Sequence, residues 1–279
     1  MLVQFVILLW PDLNVWYGPH AVVSQSCISA HFKLPVFSLL FFLPPNLQSM
    51  QFIFIGLLLA SIALALGYRA KLAAVICFLC LLTIYHRNPF LLHSGDTYLR
   101  QQIFWLIFAP AGGALSLERL KRNEDDQTRF CMLAAPWAQR MMQLQFCLLY
   151  ADSVFHKIRD KSWLDGTAVY YSSHLTEFQK LPIPFIFDNP TCCQCLTYGT
   201  LAIEAALFTV IWIKPLRYPV VIAAVIFHLI IDWCMNIPQF EWLMIFSLVL
   251  FLDAKDATRL LELIGKAGET LRKRFAAAS

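Results

Sequence analysis

Three pairs of ionisable residues stand four apart inside apolar stretches of the chain: Asp96 with Arg100, Asp152 with His156, and His228 with Asp232. Positions i and i+4 lie one turn apart on the same helix face, so each pair sets an acid beside a base or a cation. His86 and Arg87 close one apolar run, Lys157 follows His156 directly, and Glu241 opens the last run. Groups of this kind can carry protons, hold a polar substrate, or neutralise one another at the end of a helix. Two His and two Asp would also suit several metal ions. Nothing in the spacing brings their helices together, however, and no metal site is expected. Cys77, Cys80, Cys131, Cys147 and Cys234 sit inside apolar runs and read as small buried hydrophobes. Cys192, Cys193 and Cys195 follow Asn189-Pro190 with no second ligand cluster to match them.

The elements that position these residues belong to a membrane. Of 279 residues 59% are apolar and 14% charged, against about 25% charged in an ordinary soluble domain. A soluble globular protein is excluded on that ground. Runs such as Phe52 to Leu66 show no apolar/polar alternation, which excludes a transmembrane β-barrel. A net charge of +4, spread over short loops, excludes nucleic acid as a partner. The fold class is therefore all-α, a polytopic transmembrane helix bundle. At about 20 residues per crossing, seven clear spans are expected at Met50–Gly67, Leu72–His86, Thr97–Leu117, Met132–His156, Thr191–Ile213, Tyr218–Asn236 and Pro238–Leu252. Leu2–Trp10 is about half a span and stops at Pro11-Asp12; without a basic leader or a small-residue cleavage site it reads as a truncated first span, not a signal peptide. Residues 1–254 form the membrane domain. Residues 255–279 form a basic tail with Leu260, Ile264, Ala267 and Leu271 on one face, suited to the inner membrane surface.

Lys and Arg near span ends gather on the cytoplasmic side. With the spans above, fourteen of the 22 fall on one side and seven on the other, while Arg140 lies inside a span. Both termini are then cytoplasmic, and the connections Leu13–Ser49 and Lys157–Pro190 are external. Pro35–Pro45 is apolar but too short to cross, as a re-entrant or interfacial segment would be. Trp163–Lys180, with Trp163, Tyr170, Tyr171 and Phe178, reads as an external interfacial helix with aromatic anchors. Nearly all the intramembrane ionisable residues share the outer half of the bilayer, where charge is costly unless paired or hydrated. Glu204, near mid-span, and Arg140, toward the inner side, fall elsewhere. The expected arrangement is an outward-opening polar cavity roofed by the external helix.

At this point the chain resembles a known family, the horizontally transferred transmembrane (HTTM) domain family, which includes vitamin K-dependent gamma-glutamyl carboxylase. The match is carried by His86-Arg87-Asn88-Pro89 with Ser94-Gly95-Asp96, and by Phe108-Ala109-Pro110 with Ser116-Leu117-Glu118. It continues through Lys157 ahead of Trp163-Leu164-Asp165-Gly166-Thr167-Ala168, and through Phe227-His228 ahead of Leu250-Phe251-Leu252. The resemblance implies quinol chemistry inside the membrane. In the carboxylase, oxygenation of vitamin K hydroquinone generates a strong base that removes a gamma proton from a substrate Glu, which then captures carbon dioxide. A Lys at the position matching Lys157 is assigned there as the base that starts the reaction. An ammonium held where water is scarce gives up its proton more readily. Departures limit the likeness, the incomplete first span among them. The segment after the last span is too short for the large luminal region of the carboxylase, and Asp96 stands where the animal enzyme presents a His.

What the resemblance implies is an integral membrane enzyme, a carboxylase-like lyase or quinol-oxygenating enzyme, with Lys157 as the catalytic base. Its substrate is lipid-soluble and its cofactor is reduced vitamin K or another quinol. His228, Asp96, Arg87, Arg100, Asp165, Asp152, His156 and Asp232 would shape the substrate pocket, with Trp163, Gly166 and Tyr170 as its lid. The setting is the lipid bilayer of a bacterial cell (inner) membrane, with no nucleic-acid partner and no protein substrate assigned. The same charges also suit a binding or transport protein, or a noncatalytic scaffold. A transport path would continue toward the cytoplasm, where Glu204 and Arg140 alone extend the polar set.

Overall fold

A computed structural model describes residues 1–24, 27–28, 37–44, 46–91, 93–112, 116–117, 136–237, 239–253 and 255–259. Among them the secondary structure is helical, with no strand beyond a single antiparallel bridge between Gln179 and Met235. The chain forms two compact units, Met1–Ser153 with Asn236–Leu243, and Val154–Met235 with Met244–Ser279.

In the first unit, α1 (Leu2–Leu9) and α2 (Leu13–Tyr17) pack on α3 (Leu47–Ala65), which pairs with α4 (Ala70–Arg87). Their shared core includes Phe5, Tyr17, Phe54, Leu57, Cys77, Cys80, Leu81, Ile84 and Tyr85. Cys77 and Cys80 are thus core residues, as expected of cysteines in an apolar run. The α3–α4 junction closes on Gly67, whose φ of +64° only glycine adopts without strain. The Tyr68 N–H reaches Ala63 O at 2.8 Å and the Gly67 N–H reaches Leu64 O at 3.1 Å, the paired bonds that end a helix at a left-handed residue. The Leu117 N–H also binds Leu66 O at 3.0 Å, so the two turns expected on the same side of the membrane are tied together. The chain ahead of Pro89 cannot continue as a helix, and α4 ends at Arg87. A 3-10 turn at Leu39–Phe41 docks by donating the Leu39 N–H to Thr83 Oγ1 at 3.0 Å. This is the short apolar segment expected around Pro35–Pro45, in the part that is described.

The next helix, α5 (Ser94–Leu106), is shorter than the expected span Thr97–Leu117. Its 13 residues rise about 20 Å, less than the hydrocarbon core of about 30 Å. Pro110 excludes helical backbone at Ala109, and the chain leaves the helix in turns before it. Helix α6 (Pro136–Lys157) has 22 residues. Gln102 and Gln101 on α5 bond across to Met142 O and to Gln145 on α6, at 3.3 and 2.8 Å.

In the second unit, the segment expected to be external is two short helices, α7 (Lys161–Leu164) and α8 (Ala168–His174), where one interfacial helix was expected. The break falls at Gly166, whose φ of +74° ends the first turn. After α9 (Pro184–Phe187) come α10 (Pro190–Phe208) and α11 (Lys214–Cys234), which pack against each other. The exposed side chains of α11 include Ile222, Ile226, Leu229, Ile230 and Trp233, an apolar stripe at helical spacing that suits lipid. Its C-terminus is capped by residues 180–181, whose N–H groups bind Cys234 O, while Lys180 Nζ donates to Asp232 O at 2.9 Å. Helix α12 (Phe240–Ser247) runs into a 3-10 turn at Leu248–Phe251.

Among the described residues, three helices are long and apolar enough to cross a membrane: α3, α4 and α11. Of the seven expected crossings, three thus have a helix of the required length and apolarity. α6 and α10 have the length but carry more polar residues, and α12 is short. The stripe expected at Leu260 to Leu271 lies outside the described residues, as do Cys131 and Glu118.

Candidate functional site

Lys157 is the last residue of α6, where unpaired carbonyls favour a cation. Its ammonium forms a salt bridge with Glu204 of α10, their side chains being 22% and 8% exposed. The same ammonium lies 4.5 Å from the centroid of the Trp163 ring on α7, within reach of a cation–π attraction. Lys157 is therefore held between an acid and an aromatic face.

Local sequence explains this placement. The buried residues of α10 are Cys193, Thr197, Glu204 and Leu207, spaced four, seven and three apart and so on one stripe. That stripe and its neighbours hold the loop after α7. Thr197 Oγ1 accepts the Val169 N–H at 3.2 Å, and Tyr198 Oη donates to Leu164 O at 2.9 Å. A Cβ on Gly166 would come within 2.8 Å of Gln194 Cγ and 3.2 Å of Tyr198 Oη. Gly166, expected in the lid of a substrate pocket, lets the backbone approach α10. Asp160 caps α7 by accepting from the Ser162 N–H at 2.8 Å and the Ser162 hydroxyl at 2.6 Å, and these bonds hold its carboxyl below the usual range. By sequence Glu204 stands apart as a mid-span acid; the fold makes it the partner of Lys157. The signal that could have found it is the cost of a lone acid in an apolar run, which calls for a cation nearby.

The other expected residues of this unit are more scattered. His228 is 2% exposed, on α11 beside Phe227, while Asp232 one turn on is half-buried. Asp165 is exposed and ends α7, its N–H bound to Lys161 O at 2.8 Å. Tyr170 is exposed, its ring 4.3 Å from that of His174, which in turn bonds Asp188 at 3.0 Å. His156 is exposed on α6, and Asp152, on the same helix, lies in the first unit.

The first unit gathers its own polar group. Arg87, 6% exposed, donates to Val23 O at 3.5 Å. The Arg100 guanidinium lies 4.5 Å from the Tyr85 ring centroid. Asp96 turns back to the start of α5, where its Oδ2 accepts the His93 N–H at 3.2 Å and lies 3.5 Å from His93 Nε2. The expected Asp96–Arg100 ion pair is not among the described ion pairs: unsatisfied N–H groups at a helix start attract the carboxylate, and Arg100 finds an aromatic face. Tyr17, Tyr85 and Asn88 complete this group and were missed, because hydroxyls and amides carry no charge to mark them in an apolar sequence.

The chain matches the HTTM domain family over residues 6–255. It belongs to that family. A relative by sequence is "Uncharacterized protein YitO" of Bacillus subtilis (strain 168), 27% identical over 125 residues. That match covers 42% of this chain and spans 40% of the relative's own length. No solved structure matches this HTTM chain.

Proposed function

We propose that this HTTM protein is a membrane enzyme in which Lys157, paired with Glu204, acts as the base toward a hydroxyl of a lipid-soluble substrate, with a quinol as the expected class. The observation that carries this reading is the Lys157 ammonium held between the Glu204 carboxylate and the Trp163 ring. An amine and a carboxylate beside a flat aromatic face suit a hydroxyl-bearing ring, which can stack while its O–H meets the pair. When bound, a quinol supplies the electrons for oxygen chemistry. The chain's own residues manage protons. Lys157 gives a proton to Glu204 Oε1 and becomes a neutral amine; it then takes the substrate proton, so one O–H bond breaks and one N–H bond forms. The substrate oxyanion is left beside an ammonium and a neutral carboxylic acid, with total charge unchanged. General base catalysis of this kind is worth about 10²- to 10⁴-fold.

The test is consumption of reduced vitamin K, or another quinol, by the full chain in lipid nanodiscs with oxygen and labelled bicarbonate. The expected result is quinol turnover that falls at least about a hundredfold in Lys157→Met. Turnover equal in wild type and Lys157→Met, or none in either with any quinol, would overturn the reading.

A second reading has an observation of its own: each member of the pair satisfies the other's charge, as a purely structural salt bridge would. The exchange Lys157→Glu with Glu204→Lys keeps such a bridge but misplaces the base. Full stability with lost turnover favours the enzyme; full stability with unchanged turnover favours the structural bridge.

A further inference from the structure

In the first unit an arginine is buried with little to bind. The Arg87 guanidinium offers five N–H donors, and its one described hydrogen bond is the long one to Val23 O. Around it, three buried groups that can donate a hydrogen bond have no hydrogen-bond partner among the described residues: Tyr17 Oη, Tyr85 Oη and Asn88 Nδ2. Their residues are 2%, 6% and 0% exposed. They share one neighbourhood. Tyr17 lies within electrostatic reach of Arg87 and of Tyr85 and shares a packed core with Tyr85, so it joins the two, and Asn88 follows Arg87 directly at the end of α4. Arg100, over the Tyr85 ring, adds a second cation. The acid nearby, Asp96, is turned to the start of α5 and His93.

A buried polar group without a partner costs about 1 to 3 kcal/mol, and a charged one more. Three such donors around a buried guanidinium would be an expensive arrangement unless something accepts from them. The unfilled valences are mostly donors, and the net charge facing them is positive. Burial also makes any hydrogen bond formed there stronger than in water. A planar guanidinium, two hydroxyls and an amide suit an acceptor with several oxygens and negative charge.

From this we propose that Arg87, Asn88, Tyr17 and Tyr85 form a binding site for an oxyanion of the carboxylate or phosphate type. The site belongs to the first unit, and the proton transfer proposed for Lys157 and Glu204 does not use its residues. Its occupant is either a small free anion or the headgroup of an anionic lipid, and both present the same oxygens.

The test uses the full chain, purified in detergent and stripped of lipid, with thermal unfolding as the readout at constant ionic strength. Three probes are compared against chloride: inorganic phosphate, acetate, and nanodiscs of phosphatidylglycerol set against phosphatidylcholine. A saturable rise in Tm with phosphate or acetate supports a free anion as occupant. A rise with phosphatidylglycerol alone supports a lipid headgroup. In either case Arg87→Gln abolishes the rise and Arg87→Lys restores part of it. Because Arg87→Gln can fail to fold, Tyr17→Phe is measured alongside: it removes one hydroxyl and is expected to weaken the apparent affinity at least about tenfold, the worth of one hydrogen bond to a charged group. No specific response to any probe in the wild type, or a response that Tyr17→Phe and Arg87→Gln both leave intact, overturns the proposal.

Discussion

Replacing Glu204 by Gln keeps the shape of the side chain and removes the charge that Lys157 meets. Breaking a buried ion pair by deleting one partner costs about 3 to 5 kcal/mol when both groups are enclosed. Here Lys157 keeps 22% exposure, so solvent screens part of the loss and about 2 kcal/mol is expected. Lys157→Met leaves a carboxyl that can protonate, and the double variant leaves no lone charge. The double variant is therefore expected to lose less stability than the two single variants added together, by at least about 0.5 kcal/mol. Denaturant unfolding of all four proteins measures it; strict additivity would show that the two side chains do not interact. The same residues illustrate what a sequence can miss. Lys157 stands out by its place beside the Trp163 block, while the depth of Glu204 along its span sets it apart from the other charges. Depth in one helix says little about which neighbour reaches it.

At the scale of elements, turns decide where the functional side chains go. Gly67 has φ +64°, and a Cβ there would meet Ser116 Cβ at 2.2 Å and Ser116 Cα at 2.8 Å. Gly67→Ala is expected to destabilise by about 2 kcal/mol or more, since the left-handed backbone alone costs about 1 to 2. A Cβ on Gly199, inside α10, would meet nothing within 4 Å, so Gly199→Ala is expected to be neutral or mildly stabilising. Thermal unfolding of the two variants checks the contrast. The cap of α7 carries a pH dependence. Bonds from Ser162 hold the Asp160 carboxyl below its ordinary value, so the folded protein binds this proton less readily than the unfolded chain. The contribution is fully present above the usual Asp range and is lost as pH falls through the lowered folded value. Asp160→Asn keeps the acceptor without the charge. A plot of the difference in Tm between wild type and this variant is expected to slope below about pH 4 and to be flat above it; a flat line throughout would show that the cap is not ionised. Element boundaries were the part least open to sequence. The single external helix expected at Trp163–Lys180 is split at Gly166, and the crossing expected at Thr97–Leu117 ends at Leu106 because Pro110 follows.

For the whole molecule, the issue is which ends of the helices share a side of the membrane. In the second unit Arg217 Nη1 bonds Asp253 Oδ1 at 2.6 Å, and the Tyr218 hydroxyl bonds Asp256. The start of α11 is thereby tied to residues 253–256, two stretches that the charge pattern expects on one side. In the first unit the bond from Leu117 to Leu66 joins two turns assigned to one side in the same way. On the other side His86 Nδ1 lies 2.9 Å from Phe37 O, and Arg87 reaches Val23 O. Reporter fusions are expected to place the turn at residue 68 and the C-terminus in the cytoplasm, and the loop at residue 180 outside. Labelling of a cysteine introduced at position 180 by a membrane-impermeant reagent in intact cells checks the outer assignment, and protection of that position would invert the topology.

Composition and the spacing of apolar residues were enough to determine that this is an all-helical membrane protein, and the ordered motifs from His86 to Leu252 were enough for its family. Those properties depend on transfer to lipid and on local backbone preferences, which each segment expresses by itself. Pairing depends on distance between segments far apart in the chain. Only the tertiary structure could bring Glu204 to Lys157 across 47 positions, set Asp96 on His93 and Arg100 on the Tyr85 ring, and gather Tyr17 near Arg87. The reason is that burial makes polar groups seek whatever partner the packing supplies, and packing is a property of the fold.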